Sequence, residues 1–244
     1  MKFNFLTICC LMATLACGEP LAQLPEEKPD IEDIPNPSTE VDPEETLEDD
    51  ITVNYWFEDS DSLLYVQVFK DPSATASGLA HDHVMRATDW SGLVTYNPTD
   101  ISKCAMRFSL PVEELQVDED SMRDYVGYGD VISTSDRITI KEHMLAEDQL
   151  NSAQYDTISF TSSDCELVDE NTLLVTGDMT IRDVVREWDV YVNFIAQEES
   201  FYMSSVIDFT HSDFNITPYS AFFGAVRNSE PLKITFDMVG TNVS

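Results

Sequence analysis

Positively charged residues are scarce in this 244-residue chain. Only 13 lysines and arginines stand against 46 aspartates and glutamates, giving a formal net charge of −33. Nucleic-acid binding needs clustered Lys and Arg side chains that neutralise phosphates, so that class of function is excluded. Electrostatic docking on anionic lipid headgroups is disfavoured for the same reason. The acidity indicates a solubilising surface and carries no information about the fold.

Long hydrophobic runs are also lacking, except at the N-terminus. Residues 1–16, MKFNFLTICCLMATLA, place Lys2 before an apolar run that is too short for a membrane span and predicts a secretory signal. Because the run stops before Cys17, it resembles a bacterial lipoprotein signal, in which that cysteine is lipidated. Ordinary secretion with cleavage nearby is the alternative. We therefore expect export to the bacterial cell envelope, with a lipid anchor on Cys17 that faces the periplasm or the cell surface.

Aromatic residues are absent from the segment that follows the predicted signal. Residues 18–50 contain 13 acidic residues, one lysine and six prolines. Such a segment cannot bury enough apolar surface to offset its ordering entropy, which predicts a disordered tether. The expected organisation is a signal over 1–16, a tether over 17–50 and a folded domain over 51–244. The folded domain carries 33 acidic and 11 basic residues, a net charge of −22.

Cysteine is rare, with five residues in the whole chain. Cys9, Cys10 and Cys17 lie in or at the end of the predicted signal, which leaves Cys104 and Cys165 in the folded domain. An even pair in an exported protein favours a disulfide, and two buried thiols are the alternative.

Motifs for catalysis are missing as well. The chain has no glycine-rich phosphate loop and no dinucleotide fingerprint. Ser91 and Ser212 lie near histidines in the sequence, but neither is part of a nucleophile-elbow pattern. We therefore expect a non-enzymatic protein that needs no cofactor.

The folded domain is dominated by period-2 alternation, which is typical of β-strands. Asp59, Ser60 and Asp61 predict a hairpin turn between the first two strands. Two segments predict helices, residues 111–117 and residues 135–150, the second with Ser135 at its start. Strand number alone allows either an antiparallel barrel or a sandwich. The candidate strands are 51–57, 63–69, 90–96, 103–110, 157–163, 173–181, 187–194, 201–210 and 232–239.

One segment is similar to a known family. Residues 155–192 contain Tyr155, Ile158, Phe160 and Ser162 in one strand, followed by GDMTIRDV over 177–184. This pattern resembles the YceI family of polyisoprenoid-binding, lipocalin-like proteins, and weaker similarity extends over residues 52–240. Departures from the family pattern include Asp183, which replaces a glycine. The resemblance implies an eight-stranded antiparallel lipocalin-like barrel with a short helix beside it and an elongated apolar cavity for an isoprenoid chain.

Two of the four histidines lie close together in the segment GLAHDH, at His81 and His83. On a strand, residues at i and i+2 share a face, about 6.5–7 Å apart. We interpret the pair as the polar mouth of the cavity, hydrogen-bonded to Asp82, Asp89 or backbone. The alternative is a metal site, which needs a third ligand such as His143, His211 or Asp213.

The second half of the folded domain is rich in aromatic residues, which pack in cores by default. Ligand cavities also tend to be apolar with a few polar groups at one end. Phe222 and Phe223 adjoin Gly224 in a predicted loop, where they either cap the cavity or pack in the core. We predict that the ligand contacts are His81, His83, Phe160, Trp188, Tyr219, Phe222 and Phe223.

These observations predict non-enzymatic binding, storage or transport of an amphiphilic lipid, with isoprenoids as the leading class. The expected partners are the lipid ligand and, through the lipid anchor, a membrane. One alternative is a metal-binding or redox accessory protein on the same barrel, using His81 and His83 with His143 or His211. The other is a surface interaction module whose core is completely filled. The sequence leaves the oligomeric state open.

Overall fold

The computed structural model of the chain describes residues 51–244. The predicted signal, the lipidation of Cys17 and the acidic tether therefore lie outside the described residues. In the described part, no helix is long and apolar enough to cross a membrane. The strands are β1 (Val53–Glu58), β2 (Leu63–Lys70), β3 (His83–Ala87), β4 (Ser91–Tyr96), β5 (Ala105–Pro111), β6 (Leu115–Val117), β7 (Thr157–Asp169), β8 (Thr172–Ile181), β9 (Val184–Ala196), β10 (Ser200–Thr210), β11 (Ser220–Ala221) and β12 (Val226–Asn242), and the helices are α1 (Asp120–Tyr125) and α2 (Thr134–Leu145).

The antiparallel sheet closes on itself. Eight strands follow one another in the order β1-β4-β5-β7-β8-β9-β10-β12, and β12 pairs again with β1, where Phe57 lies opposite Gly240. This closure confirms the eight-stranded antiparallel barrel and excludes the sandwich. Each of these eight strands has a paired neighbour on both sides, and one face of each strand points inward.

We call each of the eight strand positions around the barrel a stave. Three of the eight staves are interrupted, so that each consists of two strands. β1 and β2 run consecutively along β12, where Phe57 pairs with Gly240 and Leu63 with Asp237. β3 and β4 in turn run along β2 and β1, and β6 and β5 run along β3 and β4. The barrel thus has eight staves, of which three consist of two short strands each.

The three breaks lie side by side and form a crease in the barrel wall. The backbone N–H of Asp89 donates to Asp59 Oδ2 at 3.1 Å, joining the first break to the second. The backbone N–H and the hydroxyl of Thr88 both donate to the carbonyl of Glu114, at 3.1 and 2.7 Å, joining the second break to the third. These bonds satisfy polar groups that the interrupted ladders leave free.

The structure at the crease shows that two of the sequence predictions are wrong. Residues 59–61 do form a turn, but β1 and β2 both pair with β12, so the turn is a break in one stave and not a hairpin. Residues 111–117 are not a helix: Val112–Glu114 is a single 3-10 turn, and Leu115–Val117 pairs with β3. Pro111 and the acidic residues after it fit a helix start, but burial of Leu115 and Val117 in the sheet decides the structure.

The second predicted helix is confirmed, with shifted ends. α2 begins after Ser133, whose hydroxyl accepts from the backbone N–H of Asp136 at 3.2 Å, so Ser133 is the N-cap rather than Ser135. The helix ends at Leu145, five residues earlier than predicted. The short elements β3, β6, β11 and α1 were not predicted. The departure at Asp183 leaves the β8–β9 hairpin intact, because Ile181 still pairs with Val184.

One end of the barrel is filled with aromatic side chains. Phe194 and Phe201 stack at 5.5 Å, and the rings of Tyr96 and Phe57 pack against Phe201 at 5.5 and 6.2 Å. All four rings are buried. Phe57 also contacts Phe108 at 5.7 Å, further along the barrel interior. This aromatic plug closes one end, so any opening to the interior lies at the other end.

A disulfide joins Cys104, just before β5, to Cys165 on β7, with the two Cα atoms 5.9 Å apart. Both residues are buried. The bond spans 61 residues of sequence and encloses β5, β6, α1 and α2. In the chain-entropy model, closing a loop of this length in the unfolded state stabilises the fold by about 4 kcal/mol. Residues 51–244 thus have their own closed sheet, core and covalent staple.

Gly177 on β8 provides a test of how tightly the wall is packed. A Cβ atom at this position would lie 2.6 Å from the carbonyl oxygen of Thr161 and 2.6 Å from the ring of Phe160. The backbone contact cannot be relieved by a rotamer change. We expect Gly177→Ala to lower the free energy of unfolding by about 1–3 kcal/mol in denaturant titrations. Gly78→Ala is the control, because no atom lies within 4 Å of its added methyl group. Equal effects of the two variants would contradict the close packing.

Candidate functional site

The barrel interior contains a cavity with two adjacent chambers. The inner chamber has a volume of about 150 Å³ and the outer chamber about 190 Å³. They adjoin one another, because six residues line both: Val66, Met85, Leu115, Ile158, Ile181 and Phe209. Together they reach the lower end of the size range of ligand sites in proteins, about 300–1,000 Å³. The described barrel therefore does not have a completely filled core.

The inner chamber is almost wholly apolar and lies next to the aromatic plug. Trp90, Phe108 and Phe160 contribute rings to its wall. Its wall also includes an unusual share of the chain's nine methionines. Methionine side chains are flexible and polarisable, so they can adapt to an irregular apolar guest. The methionines that line the chamber are Met85, Met106, Met179, Met203 and Met238.

The outer chamber is covered by α2 and by the segment after β10. Ile140 and Met144 of α2 face it, and Phe214 and Ile216 form the opposite side. Unlike the inner chamber, it has polar side chains among its lining. They are His83, His143, Gln149, Thr210, His211, Tyr219 and Asn228. The cavity is therefore apolar at the closed end and polar toward α2.

Two of the three histidines in the outer chamber are held in a fixed orientation. The Nδ1 of His83 donates to Asp118 Oδ2 at 2.6 Å, and the Nδ1 of His211 donates to the carbonyl of Glu230 at 3.0 Å. Both acceptors require the proton on Nδ1, so Nε2 is the nitrogen left for a ligand. A neutral imidazole in this tautomer accepts a hydrogen bond at Nε2. The third histidine, His143, is exposed and packs against the ring of Tyr219 at 4.9 Å.

The orientation of His83 depends on a buried ionic network. Asp118 is fully buried and also accepts from the backbone N–H of Val84 at 3.1 Å and from Arg123 Nη1 at 2.8 Å. Burial alone would raise the pKa of Asp118. The hydrogen bonds from His83, Val84 and Arg123 outweigh burial and hold the pKa below its ordinary value. Asp118 is therefore a carboxylate at neutral pH and keeps the proton of His83 on Nδ1.

Arg123 connects this buried carboxylate to the surface. Only 2% of its side chain is exposed. Its guanidinium donates to the carbonyl of Asp82 at 2.8 Å, to the carbonyl of Asp130 at 2.9 Å and to the Asp130 carboxylate. Asp130 also pairs with the imidazole of His81, and this hydrogen bond lowers the pKa of Asp130. The network thus runs from His83 in the cavity to His81 at the surface.

The structure places the two histidines of the HDH segment differently from the sequence prediction. β3 begins at His83, so His81 precedes the strand and does not share its face. The ring centroids are 6.5 Å apart. The side-chain partners are Asp118 and Asp130, not Asp82 and Asp89. Asp82 instead accepts from the backbone N–H of Lys70 at 2.9 Å. Of the pair, His83 lines the outer chamber, whereas His81 is half exposed at the surface.

The predicted aromatic contacts are dispersed. Phe160 lines the inner chamber and Tyr219 lines the outer chamber. Trp188 packs against Phe209 and Phe214, at 5.7 and 5.4 Å, and so supports the outer-chamber wall from behind. Phe222 and Phe223 line neither chamber, and both are strongly exposed to solvent, so neither packs in the core.

The structure gives little support to a metal site. Among residues 51–244, no three His, Cys, Asp or Glu side chains are grouped so that they could hold a metal ion. His83 and His211 use Nδ1 for hydrogen bonds within the protein, and His143 packs against Tyr219. The alternative that joins His81 and His83 with His143 or His211 therefore has no geometric basis in this part of the chain.

Sequence reasoning missed the network behind His83. Asp118 is 35 residues and Arg123 is 40 residues away along the chain, and neither was identified as a candidate. The only local signal was the run of acidic residues Asp118, Glu119 and Asp120 at the start of a short helix. Nothing in that run distinguishes the buried Asp118 from its exposed neighbour Asp120.

An eight-stranded antiparallel barrel around an apolar cavity, with polar groups at one end, is the architecture of lipocalin-like binding proteins. A sequence profile of the YceI-like domain matches residues 70–240. The chain therefore belongs to the YceI family, as the motif at 155–192 predicted. No curated protein sequence matches the chain.

Solved structures share the fold at low sequence identity. BcnA from Burkholderia cenocepacia is 16% identical, with a TM-score of 0.54 over 74% of this chain and 96% of its own. A polyisoprenoid binding domain from Saccharophagus degradans, implicated in plant cell wall breakdown, is 10% identical. Its TM-score is 0.51 over 77% of this chain and 98% of its own. Identities this low establish a common fold.

Proposed function

We propose that this protein binds and carries an amphiphilic lipid of the isoprenoid class, without catalysing a reaction on it. The observation that carries the proposal is the two-chamber cavity, apolar next to the aromatic plug and polar toward α2. Membership of the YceI family supports it, as does the fold shared with a polyisoprenoid binding domain. The predicted signal and Cys17 extend the proposal to an exported, membrane-anchored protein of the bacterial envelope.

The inner chamber suits an unsaturated hydrocarbon chain. Burial of apolar surface contributes about 25 cal/mol per Å², so a chain held among methionines and aromatic rings needs no charged contact for affinity. Methyl branches along an isoprenoid chain present an uneven surface, and the methionine side chains can fill the gaps around it. The aromatic plug limits how far such a chain can enter.

The outer chamber suits a neutral headgroup. Its described lining contains histidine, amide and hydroxyl groups but no Lys, Arg, Asp or Glu side chain. Phosphates are usually bound by Arg or Lys or by a helix N-terminus. The Nε2 atoms of His83 and His211 instead offer hydrogen-bond acceptors to a hydroxyl, and the amide and hydroxyl groups of the lining can donate to a carbonyl. We therefore assign the polar end to an alcohol or carbonyl headgroup.

The experiment that tests the function is native mass spectrometry of residues 51–244, exported to a bacterial envelope and purified without detergent or chelator. We expect a fraction of the protein to carry an extra mass that extracts into organic solvent and proves to be an uncharged isoprenoid. A phosphorylated lipid would contradict the headgroup assignment. A stoichiometric metal mass without lipid would favour the metal-binding alternative, and bare protein after incubation with farnesol would contradict lipid binding altogether.

The interaction module with a filled core is the weaker candidate. It requires an interior packed with side chains, whereas the described barrel contains chambers of about 150 and 190 Å³. No observation in the described part of the chain favours a cationic partner for the acidic surface over simple solubility. The cavity therefore favours lipid binding over the interaction module.

A further inference from the structure

A small hairpin beside the cavity exposes two adjacent phenylalanines. Ser220 and Ala221 of β11 pair with Arg227 and Val226 of β12, and the turn between them is Phe222-Phe223-Gly224. Phe222 is 76% exposed and Phe223 is fully exposed. Soluble domains rarely expose contiguous large apolar side chains without a partner.

The backbone of this turn is strained, and both rings point into solvent. Phe222, Phe223 and Gly224 have φ values of 51°, 56° and 87°, three consecutive residues in the left-handed region. Residues with a Cβ atom avoid this region, and bulky residues in it mark turns with a function more often than ordinary loops. Glycines would form the same turn without strain, so the two phenyl rings are present at a conformational cost.

The hairpin is part of the cavity mouth. At its base, the backbone N–H of Asn228 donates to the carbonyl of Tyr219 at 2.9 Å, and both residues line the outer chamber. The loop before β3 is fixed to the hairpin, because the N–H of Ala76 donates to the carbonyl of Ala225 at 2.8 Å. This loop adds Leu79, which is 74% exposed. We call the exposed side chains of Leu79, Phe222 and Phe223 the apolar rim.

The apolar rim lies on segments without carboxylates, although the domain is strongly acidic. Residues 214–229 contain no Asp or Glu, the longest such stretch among residues 51–244, and residues 72–81 contain none either. Asp71, which borders the second segment, pairs with Arg227 at 2.6 Å. A bilayer with anionic lipids repels the rest of this acidic domain. These segments carry no carboxylate, so they add nothing to that repulsion.

From these observations we infer that the apolar rim docks on a lipid bilayer and holds the cavity mouth against it. Aromatic side chains at the tip of a hairpin partition favourably into the boundary between headgroups and acyl chains. The inference deepens the proposed function and rests on it in one respect, since the bilayer is where an amphiphilic ligand resides. Only 33 residues of sequence separate Cys17 from Ile51. A lipid anchor at Cys17 would therefore keep the domain within reach of the membrane.

The test is flotation of residues 51–244 with phosphatidylcholine vesicles, with and without one quarter phosphatidylglycerol. Residues 51–244 contain no Cys17, so anchoring by lipidation does not contribute. We expect Phe222→Ser/Phe223→Ser to lower the vesicle-bound fraction about tenfold or more, because burial of one phenyl ring alone accounts for such a factor. Leu79→Ser should give a smaller decrease in the same direction. Thermal unfolding of each variant shows whether it is folded.

The matched control is Leu167→Ser/Val168→Ser, which removes two adjacent exposed apolar residues. They lie near the end of β7, whereas the cavity-lining Ile158 lies near its start. This variant should float like the wild type. Equal loss in both double variants, or a wild type that binds neither kind of vesicle, would overturn the inference. A wild-type dimer that Phe222→Ser/Phe223→Ser converts to a monomer, without vesicle binding, would show that the rim contacts a second copy instead. Bound lipid in native mass spectra without flotation would overturn the docking alone, and flotation without bound lipid would overturn the proposed function alone.

Discussion

Ile158→Trp is expected to remove bound lipid almost completely while leaving the barrel folded. Ile158 on β7 lines both chambers, so an indole ring at this position would occupy space where they meet. The inner chamber would then be closed to a chain entering from the side of α2. We expect the lipid-bound fraction in native mass spectra to fall by about tenfold or more, since even 1.4 kcal/mol of steric cost has that effect.

Thr161→Trp is the control for this substitution. Thr161 lies on the same strand and is exposed on the outside of the barrel, so its replacement introduces the same side chain without occupying the cavity. This variant should retain its lipid. If Ile158→Trp kept the wild-type occupancy and remained folded, the ligand would have to bind somewhere other than in the two adjacent chambers.

Alternation along the strands made most of the barrel predictable from the sequence. β9 shows why: Val190, Val192 and Phe194 are buried, and Tyr191 and Ile195 between and after them are exposed. Such a period-2 pattern is a local property, and it identified nine of the strands. Closure into a barrel is not local, and the prediction of eight strands came from the similarity of residues 155–192 to the YceI family.

The broken staves explain where local reasoning failed. β3 and β6 have five and three residues, too few for alternation to be recognised. Each is defined by pairing with a strand distant in sequence, as Met85 pairs with Val117. The same long-range pairing overrides the helix signal of Pro111 and the glutamates after it.

The sequence analysis predicted an apolar cavity with polar groups at one end, but it identified only some of the residues that line it. His83, Phe160 and Tyr219 line the cavity. His81, Phe222 and Phe223 are at the surface, because a strand start and a strained turn, neither visible in composition, decide which way their side chains point. The carboxylate that orients His83 belongs to Asp118, which directly follows β6, the strand that pairs with β3. Hydrogen bonds between residues so far apart in sequence leave no local pattern.

Arg123→Met is expected to lower the free energy of unfolding at pH 7 by about 3–5 kcal/mol, the usual cost of removing one partner from a buried ion pair. Without Arg123, the fully buried Asp118 loses its charged partner, and the carbonyls of Asp82 and Asp130 lose their donors. Denaturant titration measures the loss. Arg137→Met is the control, because Arg137 pairs with the well-exposed Asp120 and should cost at most about 1 kcal/mol.

The pH dependence of this loss distinguishes a charge effect from a packing effect. The pKa of Asp118 is lowered in the folded protein, so its interactions stabilise the fold above the ordinary carboxyl pKa of about 4 and are lost as the pH falls through the lowered pKa. In Arg123→Met the pKa of Asp118 should rise, because burial is then less well compensated. The difference in stability between wild type and variant should therefore shrink below about pH 4, where Asp118 takes up a proton in the variant. Asp118→Asn should recover part of the lost stability in the Arg123→Met background, since it removes the unpaired charge. A difference that stays constant from neutral to acidic pH would mean that Arg123 acts through packing, and that the fixed orientation of His83 does not depend on this ion pair.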